Sequence, residues 1–467
     1  MNKVQIVGFT AGLLLLVSGV QAQVSLASVF SDHMVLQQNS DVAVWGWGDA
    51  SATVKVVGSW APKDTATAVI NSDGTWETAL KTAPAGGPYT LSVSGNGNCE
   101  LNDVMLGEVW LCSGQSNMEW MPMYNIDNGE AEIAAANNSN IRFLHIPKRG
   151  AVTPQNSCDA NWAVCTPDVM KKTSAVAYFF GRNLQKDLNV PIGLIVSAWG
   201  GTPAEVWVPE ERILSDATLK AVMPQKTYPW WPVESGVLYN QMIHPIVPFT
   251  LAGAIWYQGE SNQDHAGSYG LLMQTLIESW RKSFRKDFPF YLVQIAPHTY
   301  NSADNGPAIV RECEEWVSRK VSGCGLVVIS DLVKDVKNIH PTNKQDVGLR
   351  LANLAMGKIY NPTATGYESP VFENMEVNKG KAVITFLHAE NGLMCKEKQL
   401  TGFRIAGADG HFEPAKAQIK DNTIIVSSPK VKNPAVVQYC FDDATIGNVF
   451  SKEGLPVAPF RTNRNWE

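Results

Sequence analysis

The hydrophobic pattern divides the chain into three stretches. Over residues 24 to about 103, short segments alternate apolar and polar positions, as in Val42-Ala-Val-Trp45, Thr53-Val-Lys-Val-Val57 and Tyr89-Thr-Leu-Ser-Val93. Turn signals such as Asn71-Ser-Asp-Gly74 and Ala85-Gly-Gly-Pro88 separate them. A period of two with regular punctuation predicts a small β-sandwich. From about residue 104 continuous apolar runs take over: Val104 to Leu111, Ile192 to Ser197, Ala252 to Tyr257, Phe290 to Ile295 and Leu326 to Ile329. Between and after them, apolar residues recur at helical spacing at Val176, Phe180, Leu184 and Leu188, then at Tyr269, Leu272, Leu276, Trp280 and Phe284, and again at Val347, Leu351, Leu354 and Ile359. This alternation predicts an α/β fold in three layers, a parallel sheet covered by helices on both faces.

The stretch from about 120 to 168 has few helical signals and is expected to be a long surround of the site. After about 362, alternating segments return at Ala382 to Phe386, Thr423 to Ser427 and Val436 to Tyr439, so a second β-rich region is expected to end the chain. The expected organisation is 1–22 as a leader, 23–103 as a β-sandwich, 104–362 as the α/β domain and 363–467 as the β-rich region. At 467 residues the chain is long enough for this division.

The leader reading rests on Lys3, the apolar run from Val7 to Val20 and the small-residue ending Val20-Gln-Ala22, the pattern of a secretory signal peptide. No later segment reaches the roughly 18 uninterrupted apolar residues a membrane span needs. The expected mature protein is exported, to the periplasm or the outside medium. The formal charge of −6, from 38 basic and 44 acidic residues, and the lack of a long basic run point away from nucleic acid and anionic membranes as partners. Export permits disulfides among the eight cysteines. Cys158 with Cys165 and Cys313 with Cys324 are the preferred pairs, with Cys99–Cys112 and Cys395–Cys440 completing the set; burial as small apolar residues is the alternative, and the better one for Cys112. A metal site is disfavoured, because no cysteine pair has C-x-x-C spacing or lies near a histidine cluster.

Candidate chemistry collects where the apolar runs end, which is where side chains of different strands converge in such folds. In Gly114-Gln-Ser-Asn-Met-Glu119, Ser116 follows a strand and a glycine that permits a tight turn, making it a candidate nucleophile; an ordinary Ser/Asn turn would explain the same residues. Trp199-Gly-Gly-Thr-Pro203 offers backbone N–H groups that can approach a ligand, or a turn requiring positive φ. In Trp256-Tyr-Gln-Gly-Glu-Ser-Asn262, Gln258 can present an amide to a developing oxyanion while Glu260 and Asn262 orient substrate or loops, or these residues simply cap the next helix. His340, in Asp335-Val-Lys-Asn-Ile-His340-Pro341, lies after the final strand and before the last helix, where a neutral imidazole can exchange a proton with a serine. His298 is the rival base, and His244 and His265 are expected in the pocket wall.

Together, Gly-Gln-Ser-Asn-Met at 114–118, Trp-Gly-Gly-Thr at 199–202, Trp-Tyr-Gln-Gly-Glu-Ser-Asn at 256–262 and Ile-His-Pro-x-Asn-Lys at 339–344 resemble the SGNH-type esterases of the sialate O-acetylesterase family. The resemblance spans most of residues 24–467, including the closing Pro456-Val-Ala-Pro-Phe-Arg461. It implies Ser116 as nucleophile, His340 as general base, and oxyanion donors at the Ser116 backbone, a glycine of the 200/201 pair, with Gly201 favoured, and the Gln258 side chain. Gln115, Glu260 and Asn262 complete the implied substrate-binding set. The pattern departs from the family at one place: relatives carry an aspartate two or three residues before the histidine, where Asn338 and Lys337 stand here. Either Asp335 bends back to the imidazole, or a backbone carbonyl orients the ring and a Ser–His dyad operates.

The implied reaction is acetyl transfer to Ser116 followed by hydrolysis, without a metal or organic cofactor. The implied substrate is an O-acetylated sugar, sialic acid first and acetylated xylan or another plant polysaccharide second. Trp120, Trp199, Trp207, Trp230 and Trp231 lie in or beside the motif loops, and indole faces stack well on sugar rings. Two other classes stay open, a non-catalytic glycan-binding protein and a lipase or peptidase on the same sheet, although the polar loops at 119–160 lack the apolar lid of a lipase.

Overall fold

The computed structural model of the protein describes residues 23–223, 228–300 and 304–464. The leader expected at 1–22 lies outside them. The central element is a single long strand, β1 (Gly97–Gly114). Its first half pairs antiparallel with Gly86–Gly95 in the amino-terminal β region, and its second half lies between parallel neighbours. Residues 103 and 104 both sit within it, so the amino-terminal β region and the α/β region share one continuous backbone element. Val42, Val44, Val54, Val56, Trp76, Leu80, Leu91 and Val93 are buried in that first region, as their alternation requires.

The central sheet continues with β2 (Asn138–His145), β3 (Trp162–Cys165), β4 (Ile192–Ala198), β5 (Gly253–Tyr257), β6 (Phe290–Val293) and β7 (Cys324–Val327). Their spatial order is β3-β2-β4-β1-β5-β6-β7. All of these pairs are parallel except β3 with β2, so the sheet is mixed and not purely parallel. The 120–168 stretch, expected as a long surround of the site, thus also supplies two strands of the sheet.

A short helix α1 (Ser116–Glu119) follows β1. The longer helices are α2 (Ala175–Leu188), α3 (Tyr269–Phe284), α4 (Gly306–Lys320) and α5 (Lys344–Ala355). Successive strand residues point to opposite faces. Val109, Leu111, Ala254 and Trp256 share one core with Leu272, Leu276 and Trp280 of α3, while Trp110, Cys112, Ile255 and Tyr257 share another with Val176, Phe180 and Leu184 of α2 and Leu351 of α5. The carboxyl-terminal β region has its own core around Ile384, Ile405, Ile424 and Val437. It docks on α4 through Arg461 with Glu312, 2.8 Å, and Arg464 with Glu315, 3.0 Å. Among the described residues no helix is long and apolar enough to cross a membrane.

All eight cysteines are described, and all are free thiols, so the expected disulfides are corrected. Cys99 and Cys112 lie on the same extended strand, roughly 40 Å apart at about 3.3 Å per residue, far beyond disulfide reach. Cys158 and Cys165 pack into separate cores. Cys158 meets Ser28 Oγ at 3.2 Å, and the Cys313 thiol donates to the Ala266 carbonyl.

Candidate active site

The turn that carries Ser116 is fixed by close packing at the end of β1. Gly114 has φ +140°, and a Cβ there would lie 2.2 Å from the Tyr257 carbonyl oxygen, so glycine alone lets the chain leave the sheet against β5. The next residue, Gln115, donates its backbone N–H to that same carbonyl at 3.0 Å. Its side-chain Oε1 accepts from the N–H groups of Gly259 and Ser261, at 3.4 and 3.3 Å. Gln115 therefore ties the serine turn to the 258–262 segment.

Ser116 follows at the first position of α1, and His340 reaches it from the loop between β7 and α5. Ser116 Oγ and His340 Nε2 are 2.9 Å apart, a hydrogen bond across which a proton can pass. Both residues are half-buried. Burial pushes the His340 pKa down to about 4, and the nearby Lys344 and His298 act in the same direction, so the ring is neutral and able to accept a proton at neutral pH. The imidazole also stacks on Trp120, with centroids 3.9 Å apart and planes at 19°. His298, the rival base, does not make the serine contact.

A buried network joins the two halves of this pair. Asn117 donates to Glu260 Oε1 at 2.7 Å and to the Ile339 carbonyl at 3.1 Å, and accepts from Lys344 Nζ at 2.6 Å. One amide thus clamps the residue after Ser116 to the residue before His340. Burial pushes Lys344 down to about 7 while Glu260 pulls it up, and burial raises Glu260. The sequence motifs contain Asn117 and Lys344, but nothing in a linear pattern signals a buried lysine at the start of a helix.

The Trp199–Pro203 loop packs directly on the serine. A Cβ on Gly200 would lie 3.0 Å from Ser116 Cβ, and the Gly200 N–H donates to Glu119 Oε2 at 2.6 Å. Gly200 is thereby engaged, leaving Gly201 of the pair. Gly201 has φ +80°, and neither its N–H nor that of Ser116 has a protein acceptor among the described residues. Two backbone donors thus remain open beside the serine.

Two expected roles are corrected. Gln258 is fully buried; its Nε2 donates to the Thr202 carbonyl at 3.2 Å and to Asn262 Oδ1 at 2.8 Å, so its amide protons are occupied within the protein. Asn262 also accepts from the Ala204 N–H and donates to Glu205, so both side chains fasten the 199–205 loop. Asp335 is exposed, and its carboxylate accepts from the Lys337 N–H at 2.9 Å, capping its own turn without reaching the imidazole. Asn338 caps the His340 backbone N–H at 3.0 Å.

A cavity of about 430 Å³ adjoins Gly201, lined by Tyr228, Trp231, Glu205, Glu260, Asp264 and His265 among others. His244 lies elsewhere, bonded to the Gln155 carbonyl and facing a groove with Trp45 and Pro248. Trp207 is fully buried core.

A mixed sheet that brings a hydroxyl, an imidazole and open backbone donors to one edge is the frame of an ester hydrolase. Comparison with known proteins narrows the class. The family model described as "Carbohydrate esterase, sialic acid-specific acetylesterase" matches residues 106–356. A human sialate O-acetylesterase is 31% identical over 427 residues, covering 82% of this chain and 80% of its own length. The rat sialate O-acetylesterase is 29% identical, with 82% of each chain covered. A crystal structure of a carbohydrate acetylesterase from Xanthomonas citri superposes with a TM-score of 0.86 at 35% identity, covering 95% of this chain and 100% of that one. The chain belongs to the sialic acid-specific acetylesterase family of carbohydrate esterases.

Proposed function

We propose that the protein is an exported esterase that removes O-acetyl groups from sialic acids, with Ser116 as nucleophile and an acetyl-enzyme intermediate. The observation that carries this reading is the 2.9 Å contact between Ser116 Oγ and His340 Nε2 beside two open backbone N–H groups. The helices packed on both faces of the sheet support an SGNH-type three-layer arrangement for the central region. Export rests on the leader pattern of residues 1–22; sequencing the amino terminus of the mature protein should find Gln23 first, and an intact Met1 would remove the export reading.

In the proposed reaction, Oγ attacks the acetyl carbonyl carbon as its proton passes to His340 Nε2. The carbonyl oxygen becomes an oxyanion received by the N–H groups of Ser116 and Gly201. Collapse breaks the bond to the sugar oxygen, which takes the proton from His340 and departs as the alcohol. A water then gives its proton to the neutral imidazole and attacks the acetyl-enzyme, and collapse returns the proton to Oγ and releases acetate. Gln258 and Asn262 act on this chemistry by holding the loop that carries Gly201.

One observation favours a neutral acetylated polysaccharide as a second reading. Sialic acid carries a carboxylate, yet the cavity beside Gly201 presents Glu205, Glu260 and Asp264, and no Lys or Arg among its described lining residues. Trp231 and Tyr228 offer that cavity the aromatic faces that suit uncharged sugar rings. Acetate release from acetylated mucin sialic acids and from acetylated xylan, measured side by side, tests both. Release from mucin supports the first reading, release from xylan alone supports the second, and release from neither would sink both.

A further inference from the structure

Among the described residues, the base of this site has no acidic partner. The ionisable groups that act on the His340 ring are Lys344, from α5, and His298, from the loop after β6, and both oppose positive charge on it. On the histidine's own loop, Lys334, Asp335 and Lys337 are exposed, and the Asp335 carboxylate is occupied by its turn. Glu260 stands one step removed, bonded to Asn117. Yet the mechanism requires the ring to be held with Nε2 toward Ser116 and to become an imidazolium as it takes the serine proton.

Trp120 meets both requirements. It lies four residues after Ser116 at the end of the same helical turn, and residues four apart emerge on one face, so the hydroxyl and the indole present themselves to His340 together. The imidazole hydrogen-bonds to the one and lies flat on the other. The indole is itself fixed: its Nε1 donates to the Tyr124 carbonyl at 3.1 Å, the Tyr124 ring meets it edge-on at 5.4 Å, and its own carbonyl accepts from the Ala175 N–H at 2.9 Å. An aromatic face carries negative potential and attracts a cation, more strongly when the pair is shielded from water.

We propose that Trp120 is a positioning residue for the reaction: its indole face orients the His340 ring and stabilises the imidazolium, the two tasks a carboxylate performs in a Ser-His-Asp triad. When the Ser116 O–H bond breaks and the new bond from Oγ to the acetyl carbon forms, the proton and its charge arrive on a ring already lying against the indole. The proposal rests on the Ser116–His340 reading above.

Site-specific replacement of Trp120 by mono-, di- and trifluorinated tryptophans withdraws charge from the indole face at nearly constant shape. With p-nitrophenyl acetate, kcat should fall stepwise with each fluorine, reaching about 10-fold, with KM little changed. Trp120→Leu should lose at least as much, and Trp120→Phe should recover most of that loss. Should Trp120→Leu not fold, the fluorinated series decides alone. Ser116→Ala, assayed alongside, separates the two claims. Turnover retained in that variant would overturn both claims. Turnover lost there, with kcat flat across the fluorinated series, would overturn the role of Trp120 and leave the hydrolase reading standing.

Discussion

The segment carrying Ser116 and the loop carrying His340 meet at one hydrogen bond, but they are held in place differently. Residues 115–119 are pinned from several directions: Gln115 to Tyr257, Gly259 and Ser261, Asn117 to Glu260, Ile339 and Lys344, Glu119 to Gly200 and Lys148. Gln115 and Asn117 are buried, so these bonds act in a setting where losing one is costly. The loop from Lys334 to Asn338 is mostly exposed; Asp335 and Asn338 bond within its own turn, and Lys334 reaches Asp127. It is anchored from outside by that Asp127 pair and by Thr299, whose N–H donates to the Val336 carbonyl, while the Ile339 carbonyl and the His340 ring are met by Asn117 and Trp120 of the Ser116 segment. The difference teaches that the sheet edge positions Ser116, and that the Ser116 segment in turn helps to position His340.

The largest break in this arrangement is Ser116→Ala, expected to lower ester turnover by roughly 10⁴-fold or more while leaving the thermal unfolding midpoint within a few degrees of the parent. Asn117→Ala comes next. It unclamps Ile339 and strands Glu260 and Lys344, so kcat should fall about 100-fold and urea unfolding should show a loss of about 2–4 kcal/mol. A loss of kcat without loss of stability would mean that Asn117 is not the buried clamp described above.

The pH profile sharpens the same comparison from the side of the base. His340 works when neutral, and burial depresses its pKa to about 4, so kcat/KM should stay high as pH falls and decline only near 4. A carboxylate partner would favour the imidazolium and raise that limb. A decline centred at or above the ordinary histidine value of about 6.5 would contradict a ring kept neutral by burial.

Gln258→Leu asks whether the amide donates to the oxyanion or holds a loop. With both amide protons engaged by Thr202 and Asn262, the expected result is a stability loss of about 1–3 kcal/mol accompanying a lower kcat. A kcat loss on a fully stable protein would restore direct donation. Smallest of all is Asp335→Asn, expected to change kcat less than about 3-fold, because its carboxylate serves an exposed turn.

Much of this was legible in the sequence where one physical signal dominated. Helices α2 and α3 stand where apolar residues recur at helical spacing, and strands β4 and β5 where apolar runs are continuous. Helix α4 was missed for a specific reason: its buried face carries Arg311, Glu312, Glu314 and Glu315, two of which pair with Arg461 and Arg464 more than a hundred residues away. Its apolar stripe of Val310, Cys313 and Val317 is short and interleaved with these charges, which masks it in the linear pattern. Strand β2 was missed because its first half, Asn138-Ser-Asn140, is polar and only its second half is buried. Ser116 and His340 were readable as motif residues. The direction of the Gln258 amide, the reach of Asp335 and the stacking of Trp120 depend on contacts between segments far apart in the chain, which no local pattern encodes.

The central claim, that Ser116 takes the acetyl group, is tested most directly by mixing the enzyme with p-nitrophenyl acetate, quenching in acid within the first turnover and locating the adduct by peptide mass spectrometry. The account predicts an acetyl group on the peptide containing Ser116, appearing with the release of p-nitrophenol and disappearing as acetate forms. Turnover with no adduct on that serine, or with a kinetically competent adduct on another residue, would contradict it.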